Sequence, residues 1–159
     1  MSHFSPRRPL FVCTGNICRS PMAAFLAEKL AQEAGLELHA ASAGTAAEVG
    51  MDMTPEAARA LAARGISATR HEARQLDAAL LNAADHVYAL TRAHRAWIVA
   101  RFPAHAAKVA VLRQAAGLTD ADVADPYGLS QAVYEECASR IEEALDIILR
   151  RNNHVEHSR

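Results

Sequence analysis

Four short apolar runs, Pro9–Cys13, Leu36–Ala41, His86–Leu90 and Lys108–Leu112, are separated by stretches that carry helix-start signals. The runs have strand length, and the segments between them are too long for hairpin turns. Strands that alternate with helices are joined by right-handed crossovers, which give a parallel sheet covered on both faces. The chain therefore reads as α/β, with a four-stranded parallel sheet and helices on both sides. Ser20-Pro21 offers an N-cap followed by a proline at the first helical position, where its missing N–H costs nothing. Met22, Leu26 and Leu30 then repeat on one helical face, and Gly35 suits a left-handed stop. Thr54-Pro55 repeats the start signal, with Ala58, Leu61 and Ala62 expected inward before Gly65. Asp77 is expected to cap a short helix through Leu81, and Thr91 a helix carrying Trp97 and Ile98. A loop from Arg113 to Gly128 leads to Ser130 and a long final helix striped by Val133, Cys137, Ile141, Leu145 and Ile148.

Residue content narrows the function classes. At 159 residues and 51% hydrophobic, the chain is expected to form one domain over 1–159, with polar, flexible ends at 1–8 and 151–159. A formal net charge of −1 gives no electrostatic footprint for nucleic acid. Met1–Arg8 has no apolar segment behind its arginines, and no run is long enough to span a bilayer, so no membrane partner is expected. Three unevenly spaced cysteines do not make a secreted disulfide framework, and a reducing, cytoplasmic location is expected.

The stretch "VCTGNICRSP", Val12 to Pro21, lies at the carboxyl end of the first strand, where sheets of this kind bind ligands. A loop that feeds a helix N-terminus gathers unpaired backbone N–H groups and the positive end of the helix dipole, so it favours an anion. The pattern lacks the second glycine and the lysine of a nucleotide-binding P-loop. Cys13 and Cys18 are too far apart in sequence for a zinc clip, and no metal or cofactor is expected. Cys-x5-Arg fits a tight turn around one phosphate. Backbone N–H groups of Thr14, Gly15, Asn16, Ile17 and Cys18 would surround it, and the Arg19 guanidinium would bind it in bidentate fashion. The same field favours an ionised Cys13 as a nucleophile toward phosphorus, with Ser20 donating to its sulfur. Gly15 and Asn16 tolerate the φ values of such a turn. Taken alone, the motif is weak, arising by chance in roughly a few per cent of chains this rich in arginine; its place between a strand and a helix start is what gives it weight.

"FVCTGNICRSPMAA" resembles the active-site signature of the low-molecular-weight protein tyrosine phosphatases. "SAGT" (Ser42–Thr45), "HEARQL" (His71–Leu76) and "DPYG" (Asp125–Gly128) follow in that family's order, over nearly the whole chain. The resemblance implies a phosphatase of phosphorylated proteins that works through a phosphocysteine on Cys13. It implies Arg19 as phosphate ligand, Asp125 as general acid, and Asn16, Ser42 and His71 as buttresses of the cradle. A carboxylic acid held beside a phosphate site by a rigid Asp-Pro suits proton donation to a leaving group on its own chemistry. Bland readings stand beside these. Asp125-Pro126 could be only a turn, Ser42 an ordinary strand end, and His71 one of eight histidines of which most are expected at the surface. Cys137 and Trp97 read as packing.

The expected substrate pocket is formed by Ile17, Ala47 and Tyr127. It departs from the family where many members carry an aromatic wall in the 46–52 segment, since this chain offers Ala47 and Glu48. Gly128, after Tyr127, replaces a second aromatic of animal-type members. Phosphotyrosine in proteins is the expected substrate, because Ile17 stands where tyrosine-specific members carry a bulky aliphatic and the arginine-specific subgroup resembles this loop with threonine. A protein-arginine phosphatase is the alternative. Arsenate reductase is disfavoured for want of mid-chain cysteines, and a non-catalytic phosphate or redox sensor by the intact Cys13, Arg19 and Asp125. A disulfide between Cys13 and Cys18 under peroxide is weighed equally against Cys18 as a loop filler.

Overall fold

A computed structural model describes residues 7–157, with 152–157 as helical backbone. Residues 1–6 and 158–159 of the expected flexible ends lie outside the described residues. The strands are β1 (Pro9–Cys13), β2 (Ala41–Gly44), β3 (His86–Ala89) and β4 (Val109–Val111). They form one parallel sheet in the order β2-β1-β3-β4. The helices are α1 (Arg19–Glu33), α2 (Pro55–Ala62), α3 (Ala78–Ala83), α4 (Arg92–Arg101), α5 (Leu112–Ala115) and α6 (Gln131–His157).

Every residue of β1 is buried, because both faces of the sheet are covered. Strand alternation divides its side chains between two cores. Phe11 and Cys13 face a core built with Met22 and Leu26 of α1, Leu61 of α2 and Ile141 and Leu145 of α6. Leu10 and Val12 face the other, with Leu81 of α3, Ile98 of α4 and Val87 and Ala89 of β3. Burying such a side chain stabilises the fold by about 1.5–3 kcal/mol. The order turns back at β1, whose crossovers to β2 and onward to β3 leave in opposite directions. A crevice opens at the carboxyl end of β1, beside Cys13.

Several boundaries differ from the expectations. β2 is Ala41–Gly44 rather than Leu36–Ala41, since the ladder depends on which backbone meets Leu10–Cys13, and small residues there let the next loop approach. The Ser20 cap is replaced: α1 begins at Arg19 behind Cys18, without a side-chain cap, and the Ser20 hydroxyl turns inward. In α2, Thr54 does cap, accepting from the Ala57 N–H, but Ala57, Ala60 and Leu61 are buried, Ala58 half so, and Ala62 is exposed. α5 occupies the start of the expected 113–128 loop. In α6, Tyr134 takes the buried place and Val133 stands 36% exposed, because packing against both α1 and α2 rotates the stripe. At the inner edges of the expected flexible ends, two contacts are described. The Arg8 N–H donates to Asp85, and the helix runs past Arg151, whose guanidinium donates to the carbonyls of Ala115 and Ala116. No helix among the described residues is long and apolar enough to cross a membrane.

Candidate active site

Cys13 ends β1 in register with Gly44, and the chain then curls through Thr14–Cys18 into α1. Asn16 is the turn's hinge. Its φ of 59° is the left-handed region, entered by no other non-glycine among the described residues. The side chain holds it there, fully buried, with Nδ2 donating to Ser20 Oγ (2.8 Å) and Ser42 Oγ (2.9 Å). Asn16 Oδ1 accepts from the Arg74 N–H at 3.0 Å. The Asn16 carbonyl lies 2.6 Å from His71 Nε2; since a carbonyl only accepts, Nε2 carries the proton. Ser42 and His71, expected as buttresses, thus converge on one residue. A strained turn over-determined by four hydrogen bonds is pre-organised.

The Cys13 sulfur and Ser20 Oγ are 2.9 Å apart. Ser20 already accepts from Asn16, and its single proton has two possible acceptors, Cys13 Sγ at 2.9 Å and the Ala43 carbonyl at 3.4 Å. A thiolate cannot donate, so once Cys13 ionises the serine proton turns to the sulfur. Arg19 is buried, with Nη1 donating to the Val123 carbonyl at 3.0 Å and Nη2 lying 3.8 Å from Asp125 Oδ2. Its Nε is buried with no partner, and a phosphate oxygen would supply the acceptor. Asp125 stays half-exposed, its Oδ1 accepting from the Tyr127 N–H at 3.1 Å, which fixes the Asp-Pro-Tyr turn over the cradle.

Sequence reasoning missed His94. This buried residue of α4 places Nε2 2.9 Å from Thr14 Oγ1 and Nδ1 2.9 Å from Thr91 Oγ1, and Thr91 also caps the His94 N–H. Burial, reinforced by the Arg19 charge, pushes its pKa down to about 4, so the ring is neutral. Only its place three residues after a cap hinted at it, and nothing in sequence joins positions 14 and 94. Arg74, inside the quoted "HEARQL", was also missed; besides its N–H, its Nε donates to the Ser42 carbonyl.

The Cys18 sulfur makes its contacts behind the cradle, with α6 and the α2 cap. It lies 3.3 Å from the Tyr134 hydroxyl and 3.8 Å from Thr54 Oγ1, and burial raises the thiol's pKa. Cys137 is core, its thiol pushed up to about 12 by burial. All three cysteines are free.

Cys13, Arg19, Ile17, Asp125 and Tyr127 line one pocket of about 150 Å³, together with Thr14, Gly15, Cys18, Ala46 and Glu48. Ala47, expected in the wall, is not part of it. The loop after β2 is stitched to the cradle by Ala46 N–H to Thr14 and Glu48 N–H to Gly15, which turns Ala47 toward Gly44 and its N–H to Gln75. A larger cleft of about 560 Å³ beside α1 holds no cysteine and meets the cradle only through Ser42, His71 and Arg74. Cys13, Arg19 and Asp125 all lie in the smaller pocket.

Residues 8–157 match the family described as low molecular weight phosphotyrosine protein phosphatase. The chain belongs to this family. Among phosphatases of known name, it is 42% identical to a protein-arginine-phosphatase of Geobacillus stearothermophilus over 89% of this chain and 93% of that one. It is 38% identical to a low molecular weight protein-tyrosine-phosphatase of Streptomyces coelicolor, over 86% and 88%. Among solved family structures, the low molecular weight protein tyrosine phosphatase of T. tengcongensis superposes with a TM-score of 0.87 at 35% identity, covering 91% of this chain and 99% of that one. The four-stranded parallel sheet with its cradle is the fold of this phosphatase family.

Proposed function

We propose that this phosphatase removes phosphate from phosphoarginine in proteins through a phosphocysteine on Cys13. The observation that carries the chemistry is the convergence of Cys13, Arg19 and Asp125 on one small pocket, with Ser20 2.9 Å from the sulfur. In the first step the thiolate forms an S–P bond while the bond from phosphorus to the leaving nitrogen breaks. Asp125 gives its proton to that nitrogen, and Arg19 with the loop amides holds the charge on the phosphoryl oxygens. In the second step Asp125, now a carboxylate, takes a proton from water, which displaces the sulfur and releases inorganic phosphate. Ser20 donates to the departing thiolate.

The arginine substrate is supported by two kinds of observation. The relatives at 42% and 38% identity, from Geobacillus stearothermophilus and Bacillus subtilis, are named protein-arginine-phosphatases. Tyr127 is the one aromatic ring lining the pocket, where a phenol is best held between two; Ala46 and Glu48 stand in the remaining wall. Phosphotyrosine is the second reading. Ile17 favours it, because it lines the pocket and offers a ring an apolar surface rather than a hydrogen bond to a guanidinium. The three free thiols suit a reducing compartment such as the cytoplasm. Comparing kcat/KM on phosphoarginine and phosphotyrosine peptides of one sequence tests the assignment, with the arginine peptide expected to be preferred. Preference for phosphotyrosine, lost in Ile17→Thr, would reverse the substrate and leave the cysteine mechanism in place.

A further inference from the structure

The pocket's charge pattern contains a residue that phosphate binding alone does not explain. Glu48 lines the same pocket as Arg19. Its N–H donates to the Gly15 carbonyl at 3.0 Å, so it is fixed to the cradle itself. Its Cγ lies 3.6 Å from the place a Cβ on Gly15 would take, and Ile17 Cγ1 lies 3.5 Å from the same point. The apolar Ile17 side chain and the Glu48 side chain thus stand side by side above Gly15. Among the described residues no hydrogen bond or ion pair engages the Glu48 carboxylate.

A free carboxylate beside a site for a dianion repels it, unless the substrate brings a positive charge between the two. A phenyl phosphate brings none. A phosphorylated guanidinium places a cation on the atoms next to phosphorus and trails an aliphatic stem that can lie on Ile17. The pair at Gly15 therefore suits a cationic side chain and does little for an aromatic one.

We propose that Glu48 is a specificity-determining residue whose carboxylate receives a cationic group adjoining the phosphate. This rests on the phosphoarginine reading for the source of the cation, the substrate's own guanidinium. A basic residue flanking the phosphorylated one presents the same chemistry. Ile17, which by itself argues for tyrosine, becomes the stem's packing surface.

The test measures kcat/KM for wild type and Glu48→Gln on three peptides: phosphoarginine, phosphotyrosine with neutral neighbours, and phosphotyrosine flanked by arginine. Ratios between substrates are read, so any general loss in the variant cancels. The phosphoarginine-to-neutral-phosphotyrosine ratio is expected to fall about tenfold in Glu48→Gln, mostly through KM, the scale of one hydrogen bond to a charged group. If only the arginine-flanked phosphotyrosine peptide loses, the carboxylate still receives a cation, supplied by the flank. Unchanged ratios overturn the proposal whatever wild type prefers. The wild-type preference is read separately, so a failure of the phosphoarginine reading is distinguishable from a failure of Glu48.

Discussion

Acidification should destabilise this protein through His94 before it titrates most carboxylates. The ring is buried between Thr14 and Thr91. Arg19 opposes its protonation, while Asp125 and Asp122 favour it only partly, leaving the folded pKa at about 4 against an ordinary 6.5. The unfolded chain therefore binds a proton between these values that the folded chain refuses, and stability rises with pH across that window. The contribution is complete above pH ~6.5 and lost as pH falls through about 4. The loss is on the order of 1 kcal/mol by pH 5.5 and roughly 2–3 kcal/mol by pH 4.5. Urea unfolding of wild type and His94→Gln at pH 7.5, 6.5, 5.5 and 4.5 (assay conditions of roughly one-unit steps) measures it. The variant has no titrating ring, so its deficit relative to wild type should narrow by those amounts toward low pH. A deficit that stays constant, or widens on acidification, would show that folding does not expel a proton from His94 and would refute the burial argument.

Cys13→Ser should abolish turnover while vanadate binding persists, because Arg19 and the loop amides remain; serine-dependent turnover measured above background would remove Cys13 from the mechanism. Asp125→Asn should lower kcat by roughly 10²–10⁴ on substrates with poor leaving groups and much less on good ones, and an equal loss across a leaving-group series would reduce Asp125 to a loop-shaping residue. A Cβ at Gly44 would stand 2.4 Å from the Thr14 carbonyl, so Gly44→Ala should push the β2 loop off the cradle, lowering Tm and weakening vanadate binding together; an unaffected variant would show that the loop is not held there. Under peroxide, a Cys13–Cys18 disulfide requires Cys18 to leave the Tyr134 hydroxyl, so Tyr134→Phe should speed its appearance by mass spectrometry, and over-oxidised Cys13 without a disulfide in either protein would exclude the pairing.

Local physical chemistry was enough to read the strand Pro9–Cys13, the caps at Thr54, Asp77 and Thr91, and the loop that carries Cys13 and Arg19. Each is governed by residues within a few positions: apolar runs of strand length, a hydroxyl or carboxylate ahead of a helix, a turn between strand and dipole. The family resemblance extended that reach to Asp125, Ser42 and His71, which no spacing rule connects to Cys13. What tertiary structure alone decided is wherever two distant segments had to meet. The limits of β2 depend on the backbone of β1, so side-chain alternation in Leu36–Ala41 misled. Ser20 looked like a cap from its neighbours, but the sulfur of Cys13 and the amide of Asn16 drew its hydroxyl inward. Glu48 displaced Ala47 from the pocket because hydrogen bonds to Thr14 and Gly15 set which side chain of that loop faces the cradle. His94 reached Thr14 across a separation of 80 residues. Local sequence determines what a segment can form; which of its polar groups find partners is decided by burial, which brings distant segments together and leaves no water to satisfy the rest.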